Sequence, residues 1–234
     1  MSDIDAVSRK KWDRWLRTDP HNALQPRVLT MLVDDLEFRI LVDAANSHKD
    51  CALNSPIIMR NLIRGYAANQ GLAIRCLLYE NGAAFSLPGL LKDIKRKMPS
   101  DKRIETIEKW LEDPVIKRII NWSHVFLAHA GDSEQAGNKR KGVFSELAPT
   151  LKDIEDAHRH IVRTVDAISV CVLGNARQLD VVPSYGGYDP LSDLVKLTGD
   201  FQAPSKARQL WLKLRDERQQ WVSGIAEELS ASRA

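Results

Sequence analysis

The chain has 234 residues, of which 44% are hydrophobic and 28% charged, a balance that supports one hydrophobic core and excludes disorder along the whole length. Thirty-four basic against 31 acidic side chains leave a formal charge of +3, below the dense basic footprint of a duplex-binding module. No window of 18 uncharged apolar residues offers a membrane span. The opening MSDIDAVSRKKWDRW alternates charges where a secretory signal is apolar, so a cytoplasmic protein with no membrane partner is expected.

Apolar residues recur at three- and four-residue spacing along most of the chain, the mark of amphipathic helices. A first helix over about residues 6–17 places Trp12, Trp15 and Leu16 on one side, and Pro20 ends it. The second, about 27–48, carries the stripe Leu29, Leu32, Val33, Leu36, Ile40, Leu41 and Ala44. Ser55-Pro56, a cap followed by proline at the first helical position, opens the third. It runs to about residue 79 through Ile58, Leu62, Ile63, Tyr66, Ala73 and Leu77, and Asn81-Gly82 stops it.

Ser86-Leu87-Pro88 starts a short helix with Leu90, Leu91 and Ile94 inward, and Pro99 ends it. Asp101 caps the next, about 104–111, and Asp113-Pro114 opens a helix to about residue 130. GDSEQAGNKRKG at 131–142 reads as a surface loop, and a long helix follows over about 147–173. Beyond Gly174 the text turns irregular, with one short helix near 191–197 and a charged closing helix over about 205–229. The expected fold is an all-α antiparallel helical bundle with extra N- and C-terminal helices. Residues 1–173 form the bundle with its N-terminal tryptophan helix; residues 174–234 form an irregular segment and a C-terminal helix packing on it.

Cys51, Cys76 and Cys171 stand far apart in apolar surroundings and read as buried core thiols. There is no P-loop, no GxGxxG after a strand, no GxSxG and no HExxH, so no cofactor is expected. His158 and His160 flank Arg159 on a helix and point about 200° apart, poor geometry for one metal. No metal site is expected. Two basic clusters stand out: Lys92 to Arg103, including Lys95, Arg96 and Lys97, and the loop cluster Lys139, Arg140 and Lys141. Each reads either as a solvated face or as a grip on nucleic acid.

The remaining polar feature lies among apolar residues. Asn121, His124 and His129 interrupt a run containing Trp122, Val125, Phe126 and Leu127. Buried histidine needs partners for its ring nitrogens, while at a helix C-terminus the dipole favours the protonated ring. His129 therefore reads either as a C-terminal cap or as an acid–base group.

The stretch HVFLAHAG resembles the RxxxxH signature of the HEPN superfamily, in its R-x-x-x-L-A-H-A form. The upstream run IIMRNLIRGYAANQGLAIRCLLYENGAAFSLPGLLKDIKR is similar to the abortive-infection (AbiU-type) branch, where an arginine-bearing helix precedes a Ser-Leu-x-x-Leu-Leu helix, here Ser86 to Leu91. The resemblance covers about residues 55–168. It implies a helical bundle that pairs into a homodimer, with the signature helices facing across a cleft. It also implies a metal-independent endoribonuclease of a bacterial defence or toxin-type system, with RNA as substrate and an antitoxin or defence protein as partner.

In that mapping His129 takes the histidine position and His124 the arginine position, with Asn121 in support. Histidine at 124 is a departure, because arginine carries a permanent charge and a planar fork for phosphate. His124 and His129 lie about 140° apart on one helix and meet more easily across a dimer than within one chain. Arg118 sits about 16 Å from His129 along the axis and cannot supply the guanidinium. Three readings follow: a HEPN-type ribonuclease, a non-catalytic HEPN-like RNA binder using the basic clusters, and a helical interaction scaffold.

Overall fold

The computed structural model describes residues 5–48, 50–79, 85–128, 148–174 and 194–231, and all regular secondary structure among them is helical. Helix α1 (Ala6–Asp13) runs into a π-turn at Arg14–Thr18, followed by α2 (Leu24–Ser47), α3 (Pro56–Leu78), α4 (Leu87–Lys97) and α5 (Lys102–Leu111). Then come α6 (Pro114–Ala128), α7 (Leu151–Ala167) with a π-turn at Ile168–Val172, α8 (Leu194–Thr198), α9 (Ala203–Gln219) and α10 (Ile225–Ala231).

Polar side chains set the helix starts by taking up orphan backbone donors. The Asp5 carboxylate accepts from the Ser8 N–H at 2.8 Å, Asp101 from Arg103 at 3.1 Å and Asp113 from Val115 at 2.8 Å. Thr150 and Asp153 form a reciprocal capping box at α7, with bonds of 3.1 and 2.8 Å.

Four helices make the bundle. Tyr66, Asn69 and Gln70 of α3 reach Asp35, Asp34 and Met31 of α2 in falling order, so the two run antiparallel. Arg118 and Asp113 of the α6 start pair with Asp153 and His160 of α7 in the same inverted sense. Where α3 crosses α6, a Cβ on Gly71 would sit 3.0 Å from the Trp122 ring and 3.3 Å from the Ser123 Cβ. Glycine is what permits this close approach. Helix α1 is fastened to α4 through Trp12, fully buried, whose indole N–H donates to Asp93 at 2.8 Å.

The structure departs from the spacing-based expectation at three places. The single helix expected over 205–229 is two, because the chain turns at 220–224 with Gly224 at φ +75°, a left-handed conformation that ends helices. Cys76 is exposed rather than buried, since α3 turns that position to solvent. Ile58 and Ile63 are 44% and 46% exposed, not core: in the first half of α3 only Leu62 packs on the core, and the helix's fully buried residues begin at Tyr66.

At the centre of the bundle lies a charged cluster. Asp35, 0% exposed, accepts from the Tyr66 hydroxyl, from Arg39 Nε at 2.9 Å and from the Arg218 guanidinium. Arg218 also donates to the Leu32 carbonyl at 3.0 Å, so α9 contributes a buried charge to the core. Beside them Gln70 Nε2 donates to the Met31 carbonyl at 3.2 Å, and its carbonyl oxygen faces His158 Nε2 at 2.9 Å. That oxygen can only accept, so His158 carries its proton on Nε2. Its Nδ1 has no partner among the described residues, which suits a neutral ring.

A second histidine behaves oppositely. His48 Nδ1 lies 2.9 Å from the Ala44 carbonyl and Nε2 lies 3.0 Å from the Asp200 carboxylate. Both partners only accept, so both nitrogens donate and the ring is a cation tying the end of α2 to the segment before α9. The Asp200 and Ala44 bonds raise the His48 pKa against the opposing effect of burial. Burial pushes His158 down to about 4, with the Asp35 charge opposing. The two signs predict a peaked stability profile. His158 costs stability as pH falls from about 6.5 towards its folded pKa, because the unfolded chain binds the proton first. His48 contributes fully below about 6.5, and that contribution is lost as pH rises through its raised folded pKa. Thermal unfolding across pH should therefore show His158→Gln flattening the acid limb and His48→Ala flattening the alkaline one. Parallel wild-type and variant curves would contradict this.

Candidate functional site

Helix α6 has two unlike sides. Ile116, Ile119, Trp122 and Ser123 recur at helical spacing and are buried against the bundle. Lys117, Asn121 and His124 are exposed. Their spacing of four and three residues places them within about 60° of one another, a ridge spanning about 10 Å along the axis. The buried face fixes the helix, and the ridge carries a cation, an amide and an imidazole into solvent.

Lys117 is the member that sequence reading passed over. Its signal was present, four residues before Asn121 and seven before His124, but a lysine on a charged helix is ordinarily solvation alone. Its ammonium has no acidic partner among the described residues, whereas the guanidinium of the adjacent Arg118 is committed to Asp153. Arg118 is thus tied to α7. His129 lies outside the described residues, as do Lys139, Arg140 and Lys141.

The basic cluster on α4 is paired within the fold. Lys95 bonds Glu108 at 2.6 Å, Arg96 lies 3.9 Å from Asp93 and Lys97 lies 3.6 Å from Asp5. These pairs are solvent-accessible. Exposed pairs are weak and can exchange a carboxylate for a phosphate, but the cluster's field is reduced by its own acids. The structure does not gather it with the α6 ridge into one contact set.

The Asp35 cluster has the residue types of a catalytic centre but not the access. Asp35 and His158 are 0% exposed, Gln70 is 0% and Arg218 is 2%, so the group holds the bundle together. Among the described residues, no group of three or more His, Cys, Asp or Glu side chains could hold a metal ion, and no helix is long and apolar enough to cross a membrane.

On the other side of Trp122 runs a groove of about 490 Å³. The first half of α3 forms one wall, with Met59, Arg60, Ile63 and Arg64, and Pro149 closes the other.

No family model, no curated protein and no solved structure matches the chain.

Proposed function

We propose that this protein is a HEPN-like endoribonuclease of a bacterial defence or toxin-type system, acting on RNA without a metal at the ridge of α6. The observation that carries the reading is the exposure of Lys117, Asn121 and His124 on one face of a helix whose other face is buried. A rigid helix presenting acid–base and cationic groups to solvent is the arrangement that RNA transesterification needs. In this reading one of His124 and His129 takes the proton from a ribose 2′-hydroxyl, and the freed oxygen attacks the adjacent phosphorus. The other gives a proton to the departing 5′-oxygen as its bond to phosphorus breaks, leaving a 2′,3′-cyclic phosphate and a 5′-hydroxyl. Lys117 holds a neighbouring phosphate. Two copies of the chain facing across α6 bring His124 of one towards His129 of the other.

The test is incubation of the purified chain with total cellular RNA in EDTA. Fragments are expected. Binding gives an independent readout: Lys117→Ala should weaken RNA affinity and lower the slope of log affinity against log salt by about one, since one phosphate contact is lost. Unchanged affinity and slope would remove Lys117 from the site.

A second reading has its own observation. With histidine at 124 and Arg118 paired with Asp153, α6 offers a phosphate no guanidinium outside an ion pair. A HEPN-like protein that binds RNA or a partner protein without cutting would show salt-dependent binding and intact RNA.

A further inference from the structure

We infer that α1 and α4 together form a second RNA contact, a basic face separate from the α6 ridge that holds the phosphate backbone of a single strand. RNA as the occupant rests on the function proposed above; the face itself rests on charge and geometry. Helix α1 is pinned alongside α4: Trp12 and Lys11 both donate to Asp93, at 2.8 and 2.9 Å, and Lys97 lies 3.6 Å from Asp5. These contacts set the cations of α1 beside those of α4. Positive charge is concentrated there. Residues 1–19 and α4 carry nine basic side chains against five acidic ones, a surplus of four, while the whole chain has a surplus of only three. The remainder of the chain therefore carries no positive surplus.

Orientation sharpens the imbalance. The carboxylates are drawn into the fold: the side chains of Asp19 and Asp93 are 6% and 18% exposed, and Asp5 is engaged as the cap of α1. The cations point outward. Arg14, Arg96 and Lys97 are 67%, 70% and 57% exposed, and Arg9 and Lys10 are exposed as well. Lys95 is the exception, turned to Glu108 of α5. An arginine has five N–H donors, so Arg14 and Arg96 can meet a phosphate without giving up Asp19 or Asp93. Lys10, Arg14 and Arg17 follow at four- and three-residue spacing, a basic row of about 10 Å along the axis.

A phosphate polymer fits this face better than a protein or a bilayer. Protein interfaces have an apolar centre, and a helix that lies on a bilayer has a row of large apolar side chains. Val7 is the one exposed large apolar side chain among the described residues of α1 and α4. The ring at this face, Trp15, is stacked on Phe85 at 4.8 Å and has Lys11 Nζ at 4.9 Å from its centroid. It serves the fold rather than a base. The grip is on phosphates and independent of base sequence.

The experiment measures binding of a fluorescein-labelled, fully 2′-O-methylated oligouridylate to the full chain by fluorescence anisotropy. Without a free 2′-hydroxyl this strand is not cut, so binding is read whether or not α6 cleaves. Arg9→Glu with Lys10→Glu should lower affinity at least about tenfold at low salt. Arg9→Ala with Lys10→Ala should lower the slope of log affinity against log salt by about 0.7 for each lost contact. Lys213→Glu with Arg215→Glu makes the same charge change on α9 and should leave affinity within about twofold, because salt screens distant charges. Circular dichroism should show each variant folded, since these side chains lie at the surface. No binding by wild type, unchanged binding in the α1 variants, or an equal loss in the α9 variant would overturn the assignment. So would binding to phosphatidylserine vesicles or to polyglutamate that matches the oligonucleotide and is lost in the same α1 variant, which would make the face a lipid or acidic-protein site. Binding lost in the α1 variants while natural RNA stays intact would support this face and count against cleavage. Cleavage with binding unchanged in those variants would do the reverse.

Discussion

Arg218→Ala is expected to destabilise the fold by about 3–5 kcal/mol, the range for breaking a buried ion pair by removing one partner. The guanidinium is 2% exposed, donates to the Asp35 carboxylate and the Leu32 carbonyl, and stacks 5.5 Å from the centroid of Trp221. Truncation removes all three contacts and leaves a void. It also leaves Asp35 with only Arg39 and Tyr66 as partners. Burial works to raise the Asp35 pKa, and the surrounding positive charges of His158, Arg218 and Arg39 hold it below the usual carboxylate range. Near neutral pH His158 is uncharged, so the arginines carry that effect.

Urea unfolding of wild type and variant measures the loss. The double variant Asp35→Leu with Arg218→Met separates the pair's role from that of its surroundings. It should recover much of the loss, because replacing a buried pair by apolar groups of similar volume is often neutral. A single-variant loss below about 1 kcal/mol would place the pair among surface bridges and contradict its burial.

The second large effect concerns rate. Under the proposed function, His129→Ala should lower RNA cleavage by about 10²–10⁴-fold, the ordinary contribution of a positioned acid–base group. His124→Ala should do the same with little change in stability, since its side chain is exposed. His124→Arg supplies the residue that the resemblance expects, with a permanent charge and planar fork for the phosphate but no proton to exchange near neutral pH, and should hold RNA at least as tightly as wild type while cutting it more slowly. If the site forms between copies, mixing His124→Ala chains with His129→Ala chains restores part of the activity, because a mixed pair assembles one intact site. Two inactive variants that stay inactive when mixed would contradict the paired arrangement. Equal cleavage by wild type and His129→Ala would remove the chemistry from this position.

The helices were legible because their signals are local. Ser55-Pro56, Asp113-Pro114 and the apolar spacing of α2 and α7 state where helices begin and which face turns inward. Only the local part of the Asp35 cluster was legible: Arg39 stands four residues on, at pairing distance along the helix. Tyr66 and Arg218 lie 31 and 183 residues away in sequence, and nothing local says that they reach Asp35. The first half of α3 misled for a related reason. Ile58 and Ile63 have core spacing, but whether a neighbour covers them is decided by elements distant in sequence.

The site was legible in part. Asn121 and His124 share an exposed face, as a working site requires. Lys117 escaped notice because a lysine on a charged helix is ordinarily solvation alone. His129 and the Lys139–Lys141 cluster lie outside the described residues and rest on the sequence alone.

The central claim, that α6 carries RNA cleavage, is tested most directly by the ends of the RNA fragments. Wild-type chain and His129→Ala chain, purified identically, are incubated with one defined RNA in EDTA, and the termini are analysed. The account predicts 2′,3′-cyclic phosphate and 5′-hydroxyl ends with wild type, and intact RNA with the variant. Intact RNA in both samples, or the same fragments in both, would contradict it.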